Sequence, residues 1–241
     1  IGELKRIFLS PGPIFDPEDR MDDYWGYTEA FYSVGFRPGD VVQVTFNYHL
    51  SPAGLMFEEP LRNLGCASIP AGPTDPGTQL DIMQKLRVSG YVGTASYLMH
   101  LAQKAEEKGI NLRKDLFQEV AFVTGERLSE KMRNQLEKKF DIILRQGYGT
   151  ADVGCIGYEC FHKTGLHISN RCYVEICHPD TGIPLKDGEV GEIVVTSFNK
   201  TYPLIRLATG DLSYIDRAPC ACGRTSPRLG SIVGRVDTTA R

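Results

Sequence analysis

Val41-Val42-Gln43-Val44-Thr45-Phe46 reads as a β-strand, because β-branched and aromatic side chains pack well on a pleated surface. A helical stretch from Leu55 to Leu64 follows it. Ser89-Gly90-Tyr91-Val92-Gly93-Thr94 is a second short strand. Leu98, Leu101, Ala102 and Ala105 then recur at helical spacing, with Gly109 as a stop. Val120-Ala121-Phe122-Val123 is a third strand. Ser129 caps the next helix, whose buried stripe is Met132, Leu136 and Phe140, and Asp141-Ile142-Ile143-Leu144 closes the series. Strand alternating with helix implies a mainly parallel sheet with helices on its faces. In such sheets ligands bind beyond the carboxyl ends of the strands. Those ends are Asn47-Tyr48-His49, Thr94, Thr124-Gly125-Glu126 and Gly147-Tyr148-Gly149-Thr150. All are polar, small or aromatic, and they mark one expected binding rim.

After about Gly154 the helical period disappears. Cys172-Tyr173-Val174-Glu175-Ile176, Gly191-Glu192-Ile193-Val194-Val195-Thr196 and Leu204-Ile205-Arg206-Leu207 have the composition of strands. Asp180-Thr181-Gly182 and Lys186-Asp187-Gly188 supply turn chemistry between them. The expected fold class is α/β, with a small antiparallel barrel-like subdomain after the parallel sheet. The expected boundaries are an α/β subdomain over 1–155, a β subdomain over 156–235 and a short exit segment over 236–241.

With 241 residues the chain is long enough to bury a substantial core. A net charge of −3 makes no electrostatic case for nucleic acid. No apolar run is long enough to span a bilayer. The start, Ile1-Gly2-Glu3-Leu4-Lys5-Arg6, is neither a secretory signal nor a Met start, so the chain reads as a fragment. Seven cysteines, an odd number, fit a reducing cytoplasm with some thiols held by metal and the rest buried, rather than a disulfide framework.

Gln146-Gly147-Tyr148-Gly149-Thr150-Ala151-Asp152, Thr209-Gly210-Asp211 and Gly234-Arg235-Val236-Asp237 each place a carboxylate, or a carboxylate with an arginine, on an expected glycine-containing turn. Carboxylates can accept ribose hydroxyls or hold a hard cation, and an arginine can pair with an anion. In combination and order these segments resemble the adenylate-forming enzymes, and within them the phenylacetate–coenzyme A ligase branch. The resemblance covers nearly the whole chain. It implies that Gly147, Tyr148, Gly149 and Thr150 form the loop that holds AMP and the reacting carboxylate. Tyr148 would lie near the adenine and Thr150 at the phosphate. Asp152, one methylene shorter than the family's usual glutamate, would help place magnesium. The resemblance further implies that Thr124, Gly125 and Glu126 form the adenine-side loop, that Asp211 accepts the ribose hydroxyls, that Arg235 joins it at ribose and phosphate, and that Asp237 is the hinge to a C-terminal domain. Tyr48, His49, Ala53 and Gly54 would wall the hydrophobic end of the acid; the competing reading packs Tyr48 inward against the start of a helix.

Two departures stand out. The family's lysine-ended, Ser/Thr/Gly-rich phosphate loop is replaced by Leu9-Ser10-Pro11-Gly12-Pro13-Ile14-Phe15-Asp16-Pro17, where three prolines remove backbone donors. The regions that would flank this core, a lysine-bearing C-terminal domain among them, are expected outside the chain.

Cys160 and His167 are seven apart, and Cys220 and Cys222 form a Cys-x-Cys pair. Three thiolates and one imidazole suit a tetrahedral structural zinc. These segments also resemble those of zinc-bearing members of the ligase branch. Four unrelated residues are the other reading, and Cys155 or His162 can replace one ligand each. Cys66, Cys172 and Cys177 are expected in the core.

The function expected from the resemblance is an AMP-forming acyl- or aryl-CoA ligase. It would adenylate a carboxylic acid, phenylacetate-like or another aryl acid, with ATP and magnesium, and pass the acyl group to coenzyme A as co-substrate. The alternative is a catalytically degenerate nucleotide or acyl-adenylate binding protein. Expected partners are the small acid, ATP and coenzyme A, with no nucleic acid and no membrane; a homodimer is left open.

Overall fold

The computed structural model describes residues 2–10 and 14–236. The chain divides into two compact units, Ile1–Gln146 and Gly147–Arg241.

The first unit runs β1 (Arg6–Ser10), β2 (Ile14–Glu18), α1 (Thr28–Val34), β3 (Val41–Val44), α2 (Ala53–Asn63), β4 (Ala67–Pro70), α3 (Pro76–Lys85), β5 (Gly90–Gly93), α4 (Ala95–Glu107), β6 (Val120–Val123), α5 (Glu130–Phe140) and the first half of β7 (Ile143–Thr150). Strands pair in parallel in the order β4-β3-β5-β6-β7, as strand–helix alternation requires. Side chains alternate across β6. Ala121 and Val123 join a core with Leu80, Met83, Leu98, Leu101, Leu136 and Phe140 from α3, α4 and α5. Phe122 enters an aromatic cluster instead, edge-on to Phe31 of α1 at 5.0 Å between centroids and 6.3 Å from Phe57 of α2.

Five elements here were not expected: β1, β2, α1, β4 and α3. Helix α3 starts at Asp75-Pro76: the Asp75 carboxylate accepts from the backbone N–H of Gly77 (2.9 Å) and Thr78 (3.1 Å), and proline sits where a missing N–H costs nothing. Helix α1 and edge strand β4 carry too little apolar pattern to stand out; β4 ends in Pro70, which an edge tolerates. Ser129 does cap α5, accepting from Met132 N at 3.2 Å. Asp141, expected in the following strand, is instead the left-handed cap of α5 at φ 62°. Arg133 lies fully buried on α5, donating to the Leu144 carbonyl at 3.0 Å and pairing with Glu130 at 3.0 Å. The proline-containing segment Leu9–Pro17 is largely a hairpin, with Phe8 opposite Asp16, Leu9 opposite Phe15 and Ser10 opposite Ile14; Pro11, Gly12 and Pro13 lie outside the described residues.

The second unit is antiparallel. The second half of β7 pairs with β8 (Gly154–Tyr158), followed in sheet order by β9 (Leu166–Ile168) and, at its far edge, two short strands described below. Strands β10 (Cys172–Cys177), β11 (Gly191–Ser197) and β12 (Leu207–Ser213) lead a four-stranded sheet. The chain continues through β13 (Ile215–Asp216), β14 (Arg228–Leu229) and β15 (Gly234–Arg235). Strand β14 pairs with β9 and β13, and β15 with β12. Ile156, Leu166, Ile215 and Leu229 from one sheet meet Val174, Ile176, Ile193 and Val195 from the other in a shared core. The strand expected over Leu204–Leu207 begins only at Leu207. The Asn199 side chain accepts from Thr201 N (2.8 Å) and Tyr202 N (3.2 Å), an Asx turn, and Arg206 is left-handed at φ 53°, so the chain cannot extend earlier. Among the described residues no cysteine forms a disulfide, and Cys66, Cys172 and Cys177 are buried. Among the described residues no helix is long and apolar enough to cross a membrane.

Candidate functional site

Of the three glycine-containing segments expected as turns, most of the described residues fall in strands. Gly147, Tyr148, Gly149 and Thr150 lie in β7, with a register irregularity between Tyr148 and Gly149; Thr209, Gly210 and Asp211 lie in β12, and Arg235 in β15. Pairing of β12 with β15 places Asp211 opposite Arg235. The guanidinium Nη1 lies 3.5 Å from Asp211 Oδ1, and the Tyr148 hydroxyl donates to Asp211 Oδ2 at 2.9 Å. Burial, chiefly, raises the Tyr148 pKa, so the phenol stays a donor. Each carboxylate oxygen thus has one protein partner and a free lone-pair direction, while Asp211 keeps 16% side-chain exposure and Arg235 60%. A vicinal diol can approach such a carboxylate from solvent.

A bulge sets the height of Asp211. Val194 pairs with Ala208 and Glu192 with Leu212, leaving Thr209, Gly210 and Asp211 opposite Ile193. Gly210 takes φ 77°, and a Cβ there would stand 2.9 Å from Arg235 Nη2. The displaced backbone donors are recovered by side chains. Asp211 N donates to Thr209 Oγ1 (3.2 Å), whose own hydroxyl donates to the Ile193 carbonyl (3.0 Å), and Gly210 N donates to Glu192 Oε1 (3.0 Å).

Thr150 and Asp152 stand at the end of β7 and in the turn after it. Thr150 Oγ1 accepts from Val153 N at 3.1 Å, leaving its O–H free to donate outward. The Asp152 carboxylate is half-exposed. Val236 is the last described residue, so Asp237 lies outside the described residues.

In the first unit, Thr124, Gly125 and Glu126 follow β6. Glu126 does not simply face solvent: its carboxylate accepts from Ser96 N (2.6 Å) and Ser96 Oγ (2.8 Å), closing the first turn of α4 where negative charge is favoured. Three strand ends do meet. A Cβ built on Gly125 would lie 3.6 Å from Phe46 Cε1 and 4.0 Å from Thr94 Cγ2. Tyr48 packs its ring on Gly54 at the start of α2, where a Cβ would come within 2.6 Å of it. Burial, and then the nearby Glu58 carboxylate, raises the Tyr48 pKa. His49 is exposed, and Ala53 opens α2.

Cys160, His167, Cys220 and Cys222 bring one ligand atom each to within 4.8 Å of one another, and the first three residues are buried. Cys155 and His162 are not part of the group. The Cys160 and Cys220 sulfurs are 3.7 Å apart, and Cys222 Sγ is 3.4 Å from His167 Nε2. A tetrahedral zinc about 2.3 Å from its sulfurs sets ligand–ligand edges of about 3.8 Å, so the donor set and spacing fit that ion. His167 Nδ1 lies 3.2 Å from Ser226 Oγ, which orients the ring with Nε2 toward the thiols. Burial pushes the Cys160 thiol up to about 11. At Cys220 burial is outweighed by donors, the Cys222 N–H and Thr164 hydroxyl foremost, and the thiol falls to about 7. Sequence reasoning missed Arg228: buried on β14, it donates to the Thr164 carbonyl (2.9 Å), Asp216 Oδ2 (2.6 Å) and the Ala218 carbonyl (3.0 Å). It thereby ties the Cys160 loop to the approach to Cys220. Its signal, an arginine in a short strand, is too common to read.

A family model described as AMP-binding enzyme matches residues 24–200. Phenylacetate-coenzyme A ligase of Thermus thermophilus is 31% identical over 210 residues, 85% of this chain and 47% of its own length. That of Escherichia coli is 29% identical over 228 residues, 89% and 50%. Among solved structures, an open conformation of 2-hydroxyisobutyryl-CoA ligase in complex with 2-HIB-AMP and CoA shares the fold, with a TM-score of 0.91 at 24% identity over 98% of this chain and 54% of that one. The chain spans about half the length of the curated relatives it matches. From the extent of the family match and these relatives, the chain belongs to the AMP-binding enzyme family.

Proposed function

We propose that this chain is the nucleotide- and acid-binding core of an AMP-forming acyl- or aryl-CoA ligase. The whole protein would convert a carboxylic acid and ATP to acyl-AMP and pyrophosphate, then transfer the acyl group to coenzyme A. The observation that carries this is the Tyr148–Asp211–Arg235 group, a two-sided carboxylate with a neighbouring cation. Asp211 accepts the ribose hydroxyls, Arg235 neutralises charge at ribose and phosphate, Tyr148 lies by the base, and Thr150 donates its free O–H to phosphate. No protein nucleophile is needed, since the substrate carboxylate attacks the α-phosphorus and pyrophosphate leaves. Asp152 would hold magnesium, which when bound supplies charge neutralisation at phosphate. Thr124 and Gly125 present backbone to the adenine; the Glu126 carboxylate, occupied by Ser96, steadies the loop. Tyr48, His49, Ala53 and Gly54 wall the acid, with a phenylacetate-like ring as the preferred class. Zinc at Cys160, His167, Cys220 and Cys222 would brace the second unit as folding energy. Calorimetric titration with AMP, and pyrophosphate release from ATP across a panel of aryl and alkyl acids, test this. Failure of AMP to bind the folded chain overturns it.

A second reading has one observation in its favour. The segment expected to grip pyrophosphate, Leu9–Pro17, carries three prolines, each of which removes a backbone donor that phosphate would use. A nucleotide or acyl-adenylate binding protein without activation chemistry would show AMP affinity and no pyrophosphate release for any acid.

A further inference from the structure

We propose that Glu192 is a positioning residue for the ribose-binding carboxylate, acting through the backbone bulge that carries Asp211. This rests on the reading of Asp211 as the ribose acceptor. Glu192 lies on β11 and touches none of the groups assigned to substrate. Its carboxylate Oε1 accepts from Gly210 N at 3.0 Å. Where three residues oppose one, that N–H has lost its ladder partner, and a charged acceptor replaces it more strongly than a neutral one.

Two other tethers fix the same loop, the Thr209 hydroxyl on the Ile193 carbonyl and Arg235 Nη2 on the Thr209 carbonyl at 3.4 Å. Neither holds the peptide between Thr209 and Gly210 by its N–H. Glu192 alone does so among the described residues. That peptide sets φ 77° at Gly210, and through it the direction in which the Asp211 side chain leaves the strand. Without Glu192, the bulge can relax toward regular pairing, which would swing Asp211 relative to the Tyr148 hydroxyl and Arg235.

The test compares AMP with 2′,3′-dideoxyAMP by calorimetry on the intact chain. Wild type should bind AMP more tightly, since only AMP offers the diol. Glu192→Ala should lose about tenfold of that preference, the size of one charge-assisted hydrogen bond. Glu192→Gln, whose amide oxygen still accepts from Gly210 N, should keep most of it. A merely structural role would weaken both nucleotides equally and leave the ratio unchanged. Where Glu192→Ala does not fold, Glu192→Met keeps the length and packing without the oxygen and should show the same loss. Preference for the diol undiminished in Glu192→Ala or Glu192→Met overturns the positioning role alone. No preference in wild type overturns the ribose role of Asp211, and the role of Glu192 with it.

Discussion

The two units are held by different physics. In the first, apolar side chains from helices on both faces of a parallel sheet fill two clusters, and polar ties are secondary. In the second, the strands are short, and a smaller apolar core is supplemented by long-range polar connections: Tyr148 to Asp211, Arg235 to Asp211, Arg228 to Thr164 and Asp216, and three thiols with one imidazole. A unit built on periodic burial announces itself along the chain and tolerates the loss of a surface group. A unit built on a few ties between distant residues depends on each of them, and is where chemistry can be placed.

Metal removal should separate the units most. Chelation, or Cys220→Ser, should lower the thermal midpoint of the second unit by more than any single apolar truncation, because structural zinc contributes on the order of 10 kcal/mol in small domains; zinc content by atomic absorption and a calorimetric scan check it. Zinc affinity should rise with pH. The metal takes thiolates, so it competes with protons: Cys220, at about 7, yields its proton near neutrality, and Cys160, at about 11, must be deprotonated by the ion. A competition titration against a chromophoric chelator between about pH 6 and about pH 8 reads this; affinity that is flat across that range would argue against thiolate ligation.

Next in size, Phe122→Ala should destabilise the first unit by about 3–5 kcal/mol in denaturant unfolding, since the ring is fully buried against Phe31, Phe57 and Tyr27. Asp211→Ala should leave that stability in place and weaken AMP by about 100-fold in calorimetry, as two charge-assisted hydrogen bonds are lost. The smallest effect is Ser129→Ala, about 1 kcal/mol from the lost cap of α5. An AMP defect in Phe122→Ala as large as that in Asp211→Ala would blur the division between a scaffold and a tied site.

Much of the first unit was legible because its strands are apolar runs and its helices carry a 3.6-residue stripe. Ser129 and Gly109 were readable as a cap and a stop for the same local reason. Asp75-Pro76 carried an equally local signal for α3 that apolar periodicity alone overlooks. In the second unit the residues were legible and their setting was not. Tyr148, Asp211 and Arg235 were singled out, yet as turns; cross-strand pairing makes them strand residues, and pairing partners are far apart in sequence. Glu126 was placed in an adenine-side loop, while its bond to Ser96 depends on packing between β6 and α4. Arg133 and Arg228 break the rule that charge lies outside, since a guanidinium is buried wherever carbonyls and carboxylates converge on it.

By itself, the order of residues determined the alternation of strand and helix, the family likeness and the set of side chains able to do chemistry, because these follow from local propensity and composition. Tertiary structure alone decided that three residues of β12 oppose one of β11, that a glutamate fills the missing bond, and that three cysteines and a histidine share one small volume. Those facts depend on register and on contacts across dozens of residues, and no local pattern encodes a distance between strands.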